Sequence, residues 1–284
     1  MQILKLKDVQ LTTQERIFKE SAFKQFLAGL LFAGLVIGMF FWNRFGDLPF
    51  FAFVFSGFFL ALFSIFFFRC FAKTLAPTNW LLAIGPDRVL IKFRSYLNPH
   101  LPADDPQVVS LSFSEIEAAH ITKEKIRYYR SQGNSRTTEY QTHFDLHIKT
   151  ESLQPLQERL KYERSVKTYK ESSVCRSSTK ARHYPVSVPE DKIIRIQWRS
   201  PGTHVVPGVK KTIDILARNH VAIEPVQRQD RDFTAKAIEG GAKAEDKILE
   251  LAERGKILAA TRLAKRVYDY DNTEARKFVD SLLE

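Results

Sequence analysis

Two long runs without a charged residue set the first constraint on this chain. Residues 26–42 and 48–68 consist mainly of Phe, Leu, Ala and Gly and contain no Asp, Glu, Lys or Arg. A helix that crosses the hydrocarbon core of a bilayer needs about 20 apolar residues. The second run has this length, and residues 22–23 extend the shorter first run past Lys24, whose long side chain can reach the interface. The sequence therefore predicts a membrane helical hairpin over residues 26–72.

The charges around the two runs predict their orientation. The loop between them, residues 43–47, is short enough to force an antiparallel hairpin, and its one basic residue is Arg44. The flanks are more basic, with Lys5, Lys7, Arg16, Lys19 and Lys24 before the first run and Arg69, Lys73, Arg88 and Lys92 after the second. Because basic residues accumulate on the cytoplasmic side, we expect both chain ends in the cytoplasm, at a bacterial inner (cytoplasmic) membrane.

Small residues indicate how the two helices pack. Gly34 and Gly38 form a Gly-x-x-x-Gly step, which lets two backbones approach closely. If the chain folds about residue 45, this step lies opposite Ala52, Ser56 and Gly57. The step can serve the hairpin itself or a homo-oligomer, and the sequence leaves both open.

The segment before the membrane, residues 1–25, carries an apolar stripe of helical period at Phe18, Ala22 and Phe26. Thr12 or Thr13 can cap such a helix. We expect a cytoplasmic or interfacial helix that either lies on the membrane surface or continues the first span.

Residues 78–225 have the period of short strands and predict an α+β domain. Strands are predicted at residues 80–84, 89–93, 108–113, 116–126, 140–148 and 192–198, and helices at 153–162 and 206–216. The turn residues 85–88 join the first two strands as a hairpin. In the strand at 140–148, Phe144, Leu146 and Ile148 share the face that we expect to be core.

This pattern resembles the bacterial pleckstrin-homology-like domains that follow paired membrane helices. The resemblance rests on LLAIGPDRVLIKFRS (81–95), SLSFSEIEAAHI (110–121), KIIRIQWRS (192–200) and VPGVKKTIDILAR (206–218). It implies a partly open β-barrel with a closing helix, and a domain that binds protein or lipid without catalysing a reaction. The polar stretch at 166–190 is long for such a domain.

The formal net charge of +11 favours an anionic partner, either lipid headgroups, an acidic protein or nucleic acid. The candidate anionic-surface residues are Lys123, Lys125, Arg127, Arg130, Lys167, Lys170, Arg176, Lys180 and Arg182. Close to a bilayer, each can add about 1 kcal/mol of attraction to anionic lipid. The competing interpretation is that they are solvated loop residues. Nucleic acid is the least favoured partner, because the sequence contains no recognised binding motif.

His143, Asp145 and His147 alternate along a predicted strand and share one face. Such a face can form a metal site or an acid–base pair. It also lies opposite the core residues Phe144 and Leu146, so a solvent-exposed polar face is the simpler prediction. Nucleophile-elbow, Walker A and His-Glu-x-x-His motifs are absent from the sequence. No catalytic residue, metal or cofactor is therefore predicted.

The chain closes with a helical pattern. Residues 226–242 are polar and predict a linker, and 243–284 predict helices at 245–253, 256–268 and 273–283, the last capped by Asp271 or Asn272. The segments KILELAERGKILAATRLAK (247–265) and TEARKFVDSLL (273–283) are similar to the C-terminal domain of the bacterial ribosomal stalk protein family. The similarity implies a small docking unit, and a cap for the protein's own oligomer is the alternative.

These patterns lead to a functional hypothesis: a membrane-anchored, non-catalytic scaffold or regulatory protein that binds a protein partner, anionic lipid or both. The alternative hypothesis is an enzyme of envelope or lipid metabolism that uses His143, Asp145 and His147.

Overall fold

The computed structural model describes residues 1–21, 23–45, 50–98, 101–129, 136–149, 152–166, 183–201, 203–233, 243–268 and 270–283. Within these ranges the chain is α+β. The strands are β1 (Gln2–Lys5), β2 (Arg16–Ser21), β3 (Leu82–Ile84), β4 (Arg88–Lys92), β5 (Pro106–Ser112), β6 (Ile116–Tyr129), β7 (Arg136–Ile148), β8 (Val186–Glu190), β9 (Ile193–Arg199), β10 (His204–Val206), β11 (Ala222–Ile223) and β12 (Gln227–Asp232). The α-helices are α1 (Phe23–Phe45), α2 (Phe50–Thr74), α3 (Gln154–Ser165), α4 (Val209–Arg218), α5 (Lys243–Glu253), α6 (Ile257–Tyr268) and α7 (Asn272–Ser281).

Helices α1 and α2 form the predicted hairpin. Both are long and apolar enough to cross a membrane, over Phe23–Trp42 and Val54–Thr74, and few residues of either stretch are buried within the protein. They are therefore two candidate membrane-spanning helices. Large side chains hold them together, because the ring of Phe32 stacks against those of Phe63 and Phe67, with centroids 5.5 and 5.6 Å away.

The packing predicted at the Gly-x-x-x-Gly step stays a prediction for the hairpin. Among the described residues, no atom lies within 4 Å of a Cβ atom placed on Gly34, Gly38 or Gly57. Ser56 neighbours Gly57 on α2, and the side chain of Ala52 lies outside the described residues. The homo-oligomer interpretation of the step also stays a prediction.

The hairpin is inserted between two neighbouring strands of one sheet. Strand β2 ends at Ser21, just before α1, and β3 begins after α2. The two strands pair antiparallel, with Phe18 opposite Leu82. The helix predicted within residues 1–25 is therefore wrong, because β1 and β2 occupy that segment. Burial in β2 alternates, with Phe18 and Glu20 inside and Lys19 exposed, as expected for a strand with one face in the core.

The sheet is open and mixed, with the strand order β1-β5-β4-β3-β2-β10-β9-β7-β6-β11. Strand β8 also pairs with β9, and β12 pairs in parallel with β6, beyond β11. The predicted strands of the middle region and its two helices are present. Phe144, Leu146 and Ile148 are fully buried as predicted, and they share a core with Leu156 of α3 and Leu216 of α4.

The three predicted C-terminal helices are confirmed as α5, α6 and α7. Asp271 caps α7, and its carboxylate accepts the backbone N–H groups of Thr273 and Glu274. The predicted linker is wrong over Gln227–Asp232, which form β12, and residues 234–242 lie outside the described residues. The helices bury Ile126 of β6 together with Phe233, so this helical unit packs directly on the sheet.

Candidate functional site on the polar face of the sheet

One face of strands β6, β7 and β9 is charged and buried. Alternation along the strands places Thr122, Glu124, His143, Asp145 and Arg195 on the side opposite the apolar core, and each is at most 7 % exposed. The prediction of a solvent-exposed polar face was therefore wrong. Buried charges are costly unless they are paired, so the contacts among these residues decide what the face can do.

Asp145 and Arg195 form the centre of this face. Their Cα atoms are partners across β7 and β9. The guanidinium donates two hydrogen bonds to the carboxylate, at 2.9 and 2.7 Å, and Thr122 Oγ1 donates a third at 2.7 Å. Both oxygens of Asp145 are thus occupied, which suits a structural ion pair and leaves no free carboxylate for acid–base chemistry.

Glu124 is the second buried carboxylate. It accepts hydrogen bonds from Arg195 and from Arg254 at the end of α5, each at 2.8 Å. The His143 Nε2 atom lies 3.3 Å from Glu124 Oε2, and His143 Nδ1 has no hydrogen-bond partner in the described part of the chain. Burial alone would raise the pKa of Glu124, but the neighbouring His143 ring and the Arg254 guanidinium hold this pKa well below the usual value.

A third group lies at the end of the polar face where β6 begins. His120 Nδ1 is 3.1 Å from His147 Nε2 and 3.3 Å from Glu224 Oε2, and His147 Nε2 is 3.8 Å from the same carboxylate oxygen. His120 is buried, whereas His147 and Glu224 are 25 % and 42 % exposed at their side chains. Among the described residues this is the group of His and carboxylate side chains arranged so that one metal ion could contact all of them.

His143, Asp145 and His147 therefore do not form one group in the structure, although they alternate along one strand. His143 belongs with Glu124, Asp145 with Arg195, and His147 with His120. Sequence reasoning missed Glu124, Arg195 and Glu224. The sequence did contain a signal for Glu124: polar residues alternate within residues 120–124, as they do within residues 143–147. When the two strands pair, these polar residues share one face. Glu224 has no such signal, because it joins the site only through the parallel pairing of β11 with β6.

A separate charged cluster joins the end of β4 to Glu163 of α3. Lys92 is 2 % exposed and donates a hydrogen bond to the carbonyl of Arg94 at 2.8 Å. The Arg94 guanidinium contacts Glu163 at 2.6 Å and Asp105 at 3.0 Å. Burial lowers the pKa of Lys92 to about 8, although the nearby carboxylates of Glu20 and Glu163 oppose the shift.

The predicted anionic-surface residues are only partly described. Lys123 is exposed and Lys125 is partly exposed on β6, and Arg127 pairs with Asp230 of β12 at 3.4 Å. The remaining candidates lie outside the described residues, and they are Arg130, Lys167, Lys170, Arg176, Lys180 and Arg182.

Comparison of the chain with models of known protein families, with curated protein sequences and with solved structures finds no match. The functional argument therefore rests on the geometry of the chain itself.

Proposed function

We propose that this chain is a membrane-anchored, non-catalytic scaffold or regulatory protein whose sheet domain lies against an anionic bilayer surface. The observation that carries the proposal is the insertion of the apolar hairpin between the paired strands β2 and β3. Since those strands pair, the two ends of the hairpin must lie on one side of the membrane. The domain is tethered to the bilayer at both ends of the hairpin and cannot swing far from it.

Strand register indicates which part of the domain lies nearest the membrane. Ser21, the last residue of β2, is in one row of Cα partners with His204, Arg199, Thr142 and Lys123. Strand β6 continues beyond this row in the direction in which the chain enters α1. Lys125 and Arg127 lie on that continuation, which supports the proposal that their charges face the headgroups.

An exposed aromatic ring accompanies these charges. Tyr140 of β7 is the Cα partner of Lys125 and is 68 % exposed. Aromatic rings beside basic side chains are favoured at the membrane interface, where the ring contacts the acyl boundary and the cations contact anionic headgroups. Each basic residue near such a surface contributes about 1 kcal/mol. The surface formed by Lys123, Lys125, Arg127 and Tyr140 is called the basic strip below.

The test uses the full-length protein in lipid nanodiscs, with Cys70 and Cys175 replaced by Ser. An environment-sensitive fluorophore on Tyr140→Cys reports whether the basic strip contacts lipid. We expect its emission to shift to the blue in discs that contain anionic lipid, compared with zwitterionic discs, and the shift to disappear at high salt.

Two controls make the result specific. The double variant Lys123→Glu/Lys125→Glu should abolish the shift, whereas Lys210→Glu/Lys211→Glu on α4 changes the net charge equally and should preserve it. A label at Glu190→Cys, at the exposed end of β8, should not respond. Equal emission from the Tyr140→Cys label in both kinds of disc at low salt would exclude contact of the basic strip with anionic lipid.

The resemblance to pleckstrin-homology-like domains agrees with a binding role and belongs to the same proposal. The protein partner of the scaffold hypothesis is also a proposal, and the helical unit α5–α7 is its candidate docking surface. The enzyme hypothesis ranks second, because its central carboxylate, Asp145, is engaged on both oxygens by Arg195 and Thr122.

A further inference from the structure

The His120, His147 and Glu224 side chains converge on a single point at the edge of the polar face. Their nearest atoms are 3.1, 3.3 and 3.8 Å apart. A tetrahedral Zn²⁺ ion with ligand bonds of about 2.0–2.1 Å separates its ligand atoms by about 3.3–3.4 Å. The three atoms therefore already have nearly the spacing of one face of a zinc tetrahedron.

The backbone holds these three residues in place. His120 and His147 lie on the paired strands β6 and β7. Glu224 follows β11, and its N–H donates a hydrogen bond to the carbonyl of Ala119 at 3.0 Å. Ligands on hydrogen-bonded strands are held more precisely than ligands on free loops, so an ion would find the site largely formed.

Asp145 supplies the second-shell partner that metal-binding histidines usually have. The His120 Nε2 atom lies 3.3 Å from Asp145 Oδ2, and Arg195 fixes that carboxylate from its other side. A hydrogen bond from Nε2–H to the carboxylate selects the tautomer in which Nδ1 carries the free lone pair. This lone pair is directed towards His147 and Glu224, in the arrangement of carboxylate–histidine–zinc sites.

The contact between His120 and Glu224 suits a bound cation. With its proton on Nε2, His120 presents a lone pair at Nδ1, and the Glu224 oxygen 3.3 Å away is also an acceptor. A cation bound between these two acceptors would satisfy both of them.

We propose that His120, His147 and Glu224 bind one Zn²⁺ ion, with a fourth position open to solvent beside the partly exposed His147 and Glu224. Two imidazoles and one carboxylate are a ligand set that zinc accepts with water in the remaining position. The ion would connect the chain after β11 to β6 and β7. The proposal is independent of lipid binding, because His120 and the basic strip lie on opposite faces of β6.

The test measures zinc binding by the purified full-length protein in detergent, after treatment with a chelator. Competition with a chromophoric chelator should show one equivalent of tightly bound Zn²⁺. His147→Ala and Glu224→Gln should each weaken binding by more than the ~10–100-fold that loss of a second-shell partner costs. Both substituted residues are partly exposed, so the metal-free variants should keep the wild-type circular dichroism spectrum.

Matched controls separate this site from other histidines and thiols. His204→Ala removes an imidazole far from the site, and Cys70→Ser/Cys175→Ser removes both thiols; each should bind zinc like wild type. Glu224→His restores a third ligand and should bind more tightly than Glu224→Gln. Co²⁺ in the site should give the intense visible bands of a tetrahedral ion. Absence of stoichiometric zinc, unchanged affinity in His147→Ala and Glu224→Gln, or weak octahedral Co²⁺ bands would overturn the proposal.

Discussion

The carboxamide of Asn79 both donates a hydrogen bond to the carbonyl of Glu20, at 2.9 Å, and accepts one from its N–H, at 3.2 Å. The same amide nitrogen donates to the carbonyl of Thr74, at 2.6 Å. One buried side chain therefore connects the strand that enters α1 with the end of α2. Asn79 fixes the two ends of the hairpin to each other and to the sheet.

We predict that Asn79→Ala destabilises the sheet domain by about 1–3 kcal/mol, because it leaves buried backbone groups without partners. Urea unfolding of the full-length protein in detergent, followed by Trp fluorescence, measures the loss. Asn219→Ala is the control, since that side chain makes a single hydrogen bond at the end of α4 and should cost less. Equal losses of unfolding free energy in both variants would contradict the idea that Asn79 fixes the two ends of the hairpin to each other.

Lys92 predicts a specific pH dependence of stability. Its pKa is about 8 in the folded protein and 10.5 when unfolded, so between these values the unfolded chain binds the proton more tightly. Stability should therefore rise as the pH increases from about 8 to 10.5, by up to about 3 kcal/mol. Lys92→Met removes this contribution, whereas the exposed Lys211→Met keeps it.

The measurement for Lys92 is the free energy of unfolding of wild type and both variants at several pH values between 7 and 10.5. Subtracting the Lys92→Met curve from the wild-type curve cancels the titration of other residues. A flat difference over this interval would show that Lys92 keeps an ordinary pKa in the folded protein.

Arg195 should be the most sensitive position on the polar face. Arg195→Ala leaves Asp145 buried without its main counter-charge, so we expect a loss of about 3–5 kcal/mol. Asp145→Asn combined with Arg195→Met removes both charges and should be closer to wild type than Arg195→Ala alone. Thermal and urea unfolding check the order, with the exposed Arg199→Ala as control; a double variant less stable than the single one would refute this interpretation.

Phe233 tests whether the helical unit is part of the sheet domain. It is 3 % exposed and packs with Ile126 against α5–α7. Phe233→Ala should cost about 3 kcal/mol, and it should increase proteolysis of the chain between β12 and α5. Val226→Ala, at a residue that is 49 % exposed, should have little effect. Unchanged proteolysis of Phe233→Ala would indicate that the helices do not depend on this contact.

The sequence predicted those elements whose sequence signal is local or strongly periodic. The uncharged spans, the alternating strand that contains Phe144 and Leu146, and the capping box of Asp271 all have signals within a few residues. Strand β2 has none, because its partner Leu82 is separated from Phe18 by the whole hairpin. Its Phe18 also begins an apolar stripe of helical period, and this stripe suggested a helix.

Pairing between residues far apart in the sequence also explains which site residues the sequence did not reveal. Strand β12, with the sequence QRQDRD, has no apolar residue, and its pairing with β6 supplies what propensity does not. The charges of Glu124 and Arg195 appear solvent-directed in sequence because their mutual pairing is visible only in three dimensions. Long-range pairing, not local preference, decides both the edge of the sheet and its buried polar face.

The insertion of the hairpin between β2 and β3 also fixes an order of events during synthesis. Strands β1 and β2 leave the ribosome before either span exists, and β3 follows only after both spans have been made. The pairing of β2 with β3 can therefore form only after both helices of the hairpin have been made, and until then β2 has neither of its partner strands. It follows that any chain built on this plan needs an even number of spans between β2 and β3.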